Sequence, residues 1–128
     1  MAYHVLAEAQ YRVAALTSLS ADWETSCAAL EFLHEQAKVK EHQAACRGYA
    51  ALFARYAIQG RQGMTAEIFH EVDKNASIWQ FSKGSLRLLC FVDRNTVILT
   101  NGYVKKRQKV DPLELRRAIA AKDAYFKN

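Results

Sequence analysis

The sequence predicts an α+β domain: an N-terminal helical hairpin and a C-terminal helix packed on a small, mainly antiparallel sheet. Three observations point to it. Two stretches between Ser20 and Gln59 carry apolar residues at helical spacing. Between Ala66 and Thr100, short runs rich in β-branched and aromatic residues alternate with turn formers. After them, Asp111-Pro112-Leu113-Glu114 opens one more amphipathic stretch. With 128 residues, one proline, no internal repeat and no linker composition, residues 1–128 are expected to form a single domain.

Taken in order, Tyr11 to Leu19 reads either as a first strand or as the tail of a short helix. Ser20 is a good N-cap, with Asp22 and Glu24 in the positive first turn of a helix whose stripe is Trp23, Cys27, Leu30, Leu33 and Ala37. A second helix from about Glu41 to Gln59 aligns Cys46, Tyr49, Phe53 and Tyr56, and Gly60 closes it. Strands follow at Ala66–Val72, Ser77–Ser82, Leu86–Val92 and Thr96–Thr100, joined by turns short enough for an antiparallel meander. Asp111 then caps the last helix, Pro112 fits its first position, and Glu114 suits a capping box.

Hydrophobic content of 51% and charged content of 24% are ordinary for a globular protein, and no apolar run reaches a membrane span. Met1-Ala2-Tyr3-His4 opens neither a basic nor a long apolar region, so no signal peptide is expected. Cys27, Cys46 and Cys90 are odd in number and far apart, which predicts buried free thiols in a reducing cytoplasm. The net charge of +5 is unevenly placed. Residues 79–128 hold eleven Lys/Arg against four Asp/Glu, whereas residues 1–78 hold seven against nine. Such a basic half predicts one cationic face, for which nucleic acid is the commonest partner.

The chemistry-bearing residues cluster after the last strand. Tyr103 is followed by Lys105, Lys106, Arg107 and Lys109, four cations in five positions. In a regular strand, Lys105, Arg107 and Lys109 would point one way and Lys106 the other, so neither face could pack on a core. This segment is therefore expected to leave the sheet and present its cations to an anion. Arg87 sits mid-strand on a face shared with Leu89 and Phe91, where it requires either a carboxylate or an open cleft. Trp79, Phe81 and Tyr103, interleaved with Lys83, Arg87, Lys105 and Lys106, offer stacking surfaces beside an electrostatic groove, although aromatics at strand spacing are more often core, the reading favoured for Trp79 and Phe81, with Tyr103 the exposed one. The four histidines lack metal-ligand spacing, no carboxylate cluster suits a two-metal nuclease, and there is no Gly-rich phosphate loop or nucleophile elbow. Any cleavage of nucleic acid must then use Arg, Lys and Tyr without metal or cofactor. RNA permits this, because its 2′-hydroxyl attacks its own phosphate when cations stabilise the transition state.

Ile78-Trp79-Gln80-Phe81, Leu86-Arg87-Leu88, Val97-Ile98-Leu99, Gly102-Tyr103-Val104-Lys105-Lys106 and Asp111-Pro112 with Glu114, Ala118 and Tyr125 resemble the RelE/HigB toxin superfamily, in its phage-derived, HigB-like branch. The family pattern runs Trp-Glu-(Leu/Phe)-Arg, then an arginine in the next strand, then Lys-Lys, then a Pro and Glu at the last helix start. The resemblance covers about residues 66–126. Phe81 stands where an arginine is usual, Gln80 where a glutamate is, and Asn101 near a frequent histidine.

The resemblance implies a RelE-like fold and the toxin of a type II toxin–antitoxin system. Such a toxin is a metal-independent, ribosome-associated mRNA endoribonuclease acting in the cytoplasm. Its partners would be mRNA, the ribosome and a cognate antitoxin with a helix-turn-helix, and no membrane. It implies catalytic roles for Arg87, Lys105, Lys106 and Tyr125. Lys83, Tyr103, Arg107, Lys109 and Trp79 are the expected RNA-binding residues. The general base stays open among Lys83, Lys105, Lys106 and His70, the last reading as structural. Two alternatives stand beside this: a ParE-like toxin that inhibits gyrase, and a non-catalytic phage interaction module.

Overall fold

The computed structural model describes residues 2–19 and 25–127, with the backbone alone at Leu19 and Thr25. The elements are β1 (Ala2–Glu8), β2 (Arg12–Leu19), β3 (Thr25–Ser26), α1 (Ala28–Gln36), α2 (Gln43–Gln59), β4 (Phe69–Asp73), β5 (Ile78–Lys83), β6 (Leu86–Asp93), β7 (Thr96–Val104) and α3 (Pro112–Lys127). Six strands form one sheet in the order β1-β2-β7-β6-β5-β4, and β3 pairs off β2. β2 and β7 run parallel, from Arg12 opposite Thr96 to Ala15 opposite Leu99. The other neighbours in the sheet are antiparallel. Among the described residues no helix is long and apolar enough to cross a membrane.

The sheet separates two cores, because successive strand residues face opposite ways. One face packs Val13, Phe81, Leu86, Leu88, Cys90 and Leu99 under α1 and α2, which contribute Ala29, Tyr49, Phe53 and Tyr56. Aromatic edges interlock there, with Phe81 5.7 Å from Phe53 and 5.8 Å from Tyr56, ring centre to ring centre. The other face packs Leu16, Ile78, Leu89, Phe91 and Ile98 under Ala118 of α3. That smaller core ends short of the turn joining β5 and β6.

The expected N-terminal helical hairpin on a mainly antiparallel sheet is corrected by this topology. The chain opens with a β-hairpin, and the parallel β2–β7 pair makes the sheet mixed. The helices come only after these strands. β1 lacks a clear strand pattern because its register shifts between Val5 and Ala7, and a bulge of this kind breaks the alternation that marks a strand. β2 was ambiguous because Val13 to Leu16 are all buried, covered on both faces, so they read as a run rather than an alternation.

The cap at Ser20, with Asp22, Trp23 and Glu24, lies outside the described residues. α1 starts at Ala28, after Thr25–Ser26 has paired with β2, and Cys27 at its N-cap makes no side-chain bond. α2 ends at Gly60 with φ +67°, where a side chain would also strike the Tyr11 ring 2.7 Å away. All three cysteines are free, but only Cys90 is buried; Cys27 and Cys46 are half-buried. Asp111 caps α3 as expected, its Oδ1 accepting from the N–H groups of Leu113 (2.9 Å) and Glu114 (3.1 Å). Glu114 turns instead to Asn101 Nδ2 (3.2 Å) and Arg117 Nη1 (3.1 Å).

Candidate nucleic-acid interface

Ser82, Arg87 and Tyr103 stand opposite one another across β5, β6 and β7. They form a row on the α3 side of the sheet, beyond the part that α3 covers. Two positions along, His70, Gln80, Leu89 and Asn101 form the next row, across β4 to β7. After Val104 the chain leaves the sheet, its last tie being Lys105 N–H to Ser85 O at 2.7 Å. The segment that follows folds beside the two rows. The result is a cavity of about 330 Å³ whose wall includes His70, Gln80, Ser82, Arg87, Tyr103, Lys105 and Arg107.

Arg87, Tyr103 and Gln80 are held in the wall by hydrogen bonds. Arg87 Nη1 donates to Gly84 O (2.8 Å) and Leu86 O (2.9 Å), which ties the guanidinium to the β5–β6 turn. From beneath, the buried Tyr49 hydroxyl of α2 lies 2.9 Å from Leu86 O and 3.2 Å from Phe81 O. Tyr103 donates to Gln80 Oε1 at 2.6 Å. Burial pushes the Tyr103 hydroxyl above its usual pKa, against a backbone hydrogen bond from Asp111 and the charge of Arg87, which lower it, so at neutral pH it is a donor. His70 Nδ1 is buried without a hydrogen-bond partner.

Three cations, Arg87, Lys105 and Arg107, line this cavity against one carboxylate, Glu67. The ion pairs among the described residues join Arg12 to Glu8, Lys38 to Glu35 and Arg117 to Glu114, so none neutralises these three. Unpaired cations held at the rim of a concave surface attract an anion. Among the described residues no three His, Cys, Asp or Glu side chains converge as metal ligands would.

The structure thus brings Arg87, Tyr103, Lys105 and Arg107 together. Lys106 and Lys109 line an adjoining cavity of about 480 Å³, whose wall also includes Tyr103, Arg107 and Arg116. Three expected site residues lie elsewhere. Trp79 faces α2, stacked on Phe69 at 5.0 Å with Arg61 over its ring at 4.8 Å. The Lys83 stem lies over Gly48 of α2, again on the opposite face. Both follow from alternation along β5, which turns Gln80 and Ser82 one way and Trp79, Phe81 and Lys83 the other. Tyr125 donates to Asp93 at 2.7 Å. Asp93 is six residues along β6 from Arg87, about 20 Å at ~3.3 Å per residue, so Tyr125 is remote from the cation cluster.

Gln80, Ser82 and Arg116 are wall residues that no sequence motif marks as such, and His70, expected to be structural, lines the same wall as Arg87. Cross-strand parity from Arg87 would have found Gln80 and Ser82. Nothing in the spacing joined His70 to Arg87, because they meet only once β5 lies between their strands. No protein-family model matches this chain, and no curated protein matches it.

Proposed function

We propose that the protein binds single-stranded RNA across this cationic face and cleaves it without metal, as a cytoplasmic toxin of the RelE/HigB kind. Its target is mRNA at the ribosome, and an antitoxin holds it inactive. The observation that carries this reading is the cavity in which Arg87, Lys105 and Arg107 converge with no carboxylate paired to them. In the reaction the 2′-hydroxyl gives up its proton as its oxygen attacks the adjacent phosphorus, the bond to the 5′-oxygen breaks, that oxygen takes up a proton and leaves as a hydroxyl, and a 2′,3′-cyclic phosphate remains. Arg87, fixed by two backbone carbonyls, clamps the phosphate, and Lys105 adds a second charge where the transition state becomes more anionic. Tyr103 offers its ring face to a base while its hydroxyl stays occupied by Gln80. His70 supplies an imidazole at the same wall.

The sequence resemblance that motivates the reading can also be counted from Trp79. Set on Trp79, the Trp-Glu-(Leu/Phe)-Arg pattern places Gln80 on the glutamate, Phe81 on the apolar third position and Ser82 on the arginine. Counted this way the missing cation falls at Ser82, while Phe81 is buried in the core. Ser82 lies beside Arg87 in the cavity wall.

The test is cleavage of a 5′-labelled single-stranded RNA, free in excess chelator and, separately, on translating ribosomes in magnesium buffer. Fragments ending in 2′,3′-cyclic phosphate that disappear with Arg87→Ala are expected. RNA left intact under both conditions overturns the nuclease reading. Intact RNA with accumulating DNA breaks in expressing cells overturns it in favour of gyrase inhibition.

A further inference from the structure

Lys105 and Lys106 are neighbours in sequence, yet they serve different cavities. Lys105 lines the Arg87 cavity, and Lys106 lines the larger one at the start of α3 with Lys109 and Arg116. Arg107 and Tyr103 line both, so the two cavities adjoin across a shared wall. Lys105, Lys106, Arg107, Lys109 and Arg116 are all exposed, and no ion pair among the described residues involves any of them. The N–H groups of Leu113 and Glu114 are already taken by Asp111, which also lines the second cavity. An anion there would be held by side chains rather than by the helix end.

We infer that the second cavity is a separate backbone-phosphate subsite for RNA, formed by Lys106, Lys109 and Arg116. It rests on the RNA reading above and deepens it. The strand passes over Arg107 from the Arg87 cavity to the start of α3, with Tyr103 as the wall between consecutive sites. Two subsites joined by a common cation fit a polyanion of repeating charge better than a single small anion. Lys106 is accordingly a binding residue for a neighbouring phosphate, outside the set that acts on the scissile one. Arg116 joins the interface although its place in the first turns of a helix gave no hint of it. Four cations against Asp111 make this cavity the more strongly charged of the two.

The test compares a labelled RNA trinucleotide with a 12-nucleotide strand by fluorescence anisotropy, for the wild type, Lys109→Gln with Arg116→Gln, and Arg87→Gln. The double variant is expected to weaken the 12-mer at least tenfold and leave the trinucleotide within twofold. Its salt dependence should fall by roughly 1.4 in log–log slope, at ~0.7 per lost phosphate contact on a single strand. Arg87→Gln should weaken both. Equal losses for the two lengths in the double variant, or no loss on the 12-mer, overturn the second subsite. A polyglutamate of matched charge that competes as well as unlabelled RNA overturns the assignment to RNA. Strong length-dependent binding without any cleavage upholds the subsite and overturns only the nuclease reading, so the two fail separately. All substituted residues here other than Arg87 are exposed, and melting curves of each variant check the fold.

Discussion

The Tyr103 hydroxyl donates to Gln80 Oε1 at 2.6 Å, a bond from β7 to β5 that passes over the strand between them. Gln80 is only 6% exposed, so water has little access to replace the donor. Tyr103→Phe keeps the ring but strands that oxygen. Leaving a buried acceptor unpaired costs roughly 1–3 kcal/mol. Urea unfolding of this variant should show a lower midpoint by that amount, while RNA affinity changes less than threefold because the ring face remains. An unchanged midpoint would mean that the bond contributes nothing.

Phe81 and Ser82 are adjacent but face opposite ways. Phe81 is fully buried among Phe53, Tyr56 and Phe69. Phe81→Arg would place a guanidinium in that core, removing a large apolar side chain and burying a charge with no partner, and it should leave the protein unfolded at 25 °C. Ser82→Arg adds a cation in the cavity wall beside Arg87. It should tighten binding of single-stranded RNA severalfold at low salt, with the gain shrinking as salt rises. Circular dichroism separates the folding outcomes, and anisotropy titration the binding ones. A folded Phe81→Arg variant with raised RNA affinity would show that position 81 faces the site.

Tyr125 holds Asp93 at the far end of the sheet, and Phe91 packs against its ring at 5.2 Å. Tyr125→Phe should cost roughly 1.5–3 kcal/mol, as for a hydrogen bond to a charged group, and leave RNA cleavage unchanged. Burial, with the Asp93 hydrogen bond next, pushes the Tyr125 hydroxyl up to about 12. Burial also raises Tyr56 to about 12. In the unfolded chain both would titrate near 10. Their folded values are raised, so the stability they contribute is complete below pH 10 and is lost as pH climbs from 10 through 12. Unfolding free energies measured between pH 9 and 12 should fall steeply, and less steeply for Tyr125→Phe. A flat profile over that range contradicts the burial of these hydroxyls.

The local signals were legible wherever physics acts along the chain. Asp111 before Pro112 set the start of α3, and Gly60 set the end of α2. The cation run after Val104 left the sheet because no strand can bury alternating charge on both faces. Arg87 was recognisable as a cation in an apolar strand in need of an outlet.

What the sequence determined by itself is a basic C-terminal half, the meander with its turns, and the residue types able to meet an anion. The tertiary structure alone decided the rest. The parallel β2–β7 pair joins segments some eighty residues apart, and no local pattern records such a partner. That pairing made the sheet mixed, and α3 packs on the face opposite α1 and α2. Strand parity then decided that Trp79 and Lys83 lie under α2 while Ser82 and Gln80 flank Arg87. The end of the sheet that α3 leaves uncovered became the cavity, and the turn of the chain after Val104 divided Lys105 from Lys106. Composition sets how much charge a face can carry; only the packing of helices on the sheet decides which cations share a hollow.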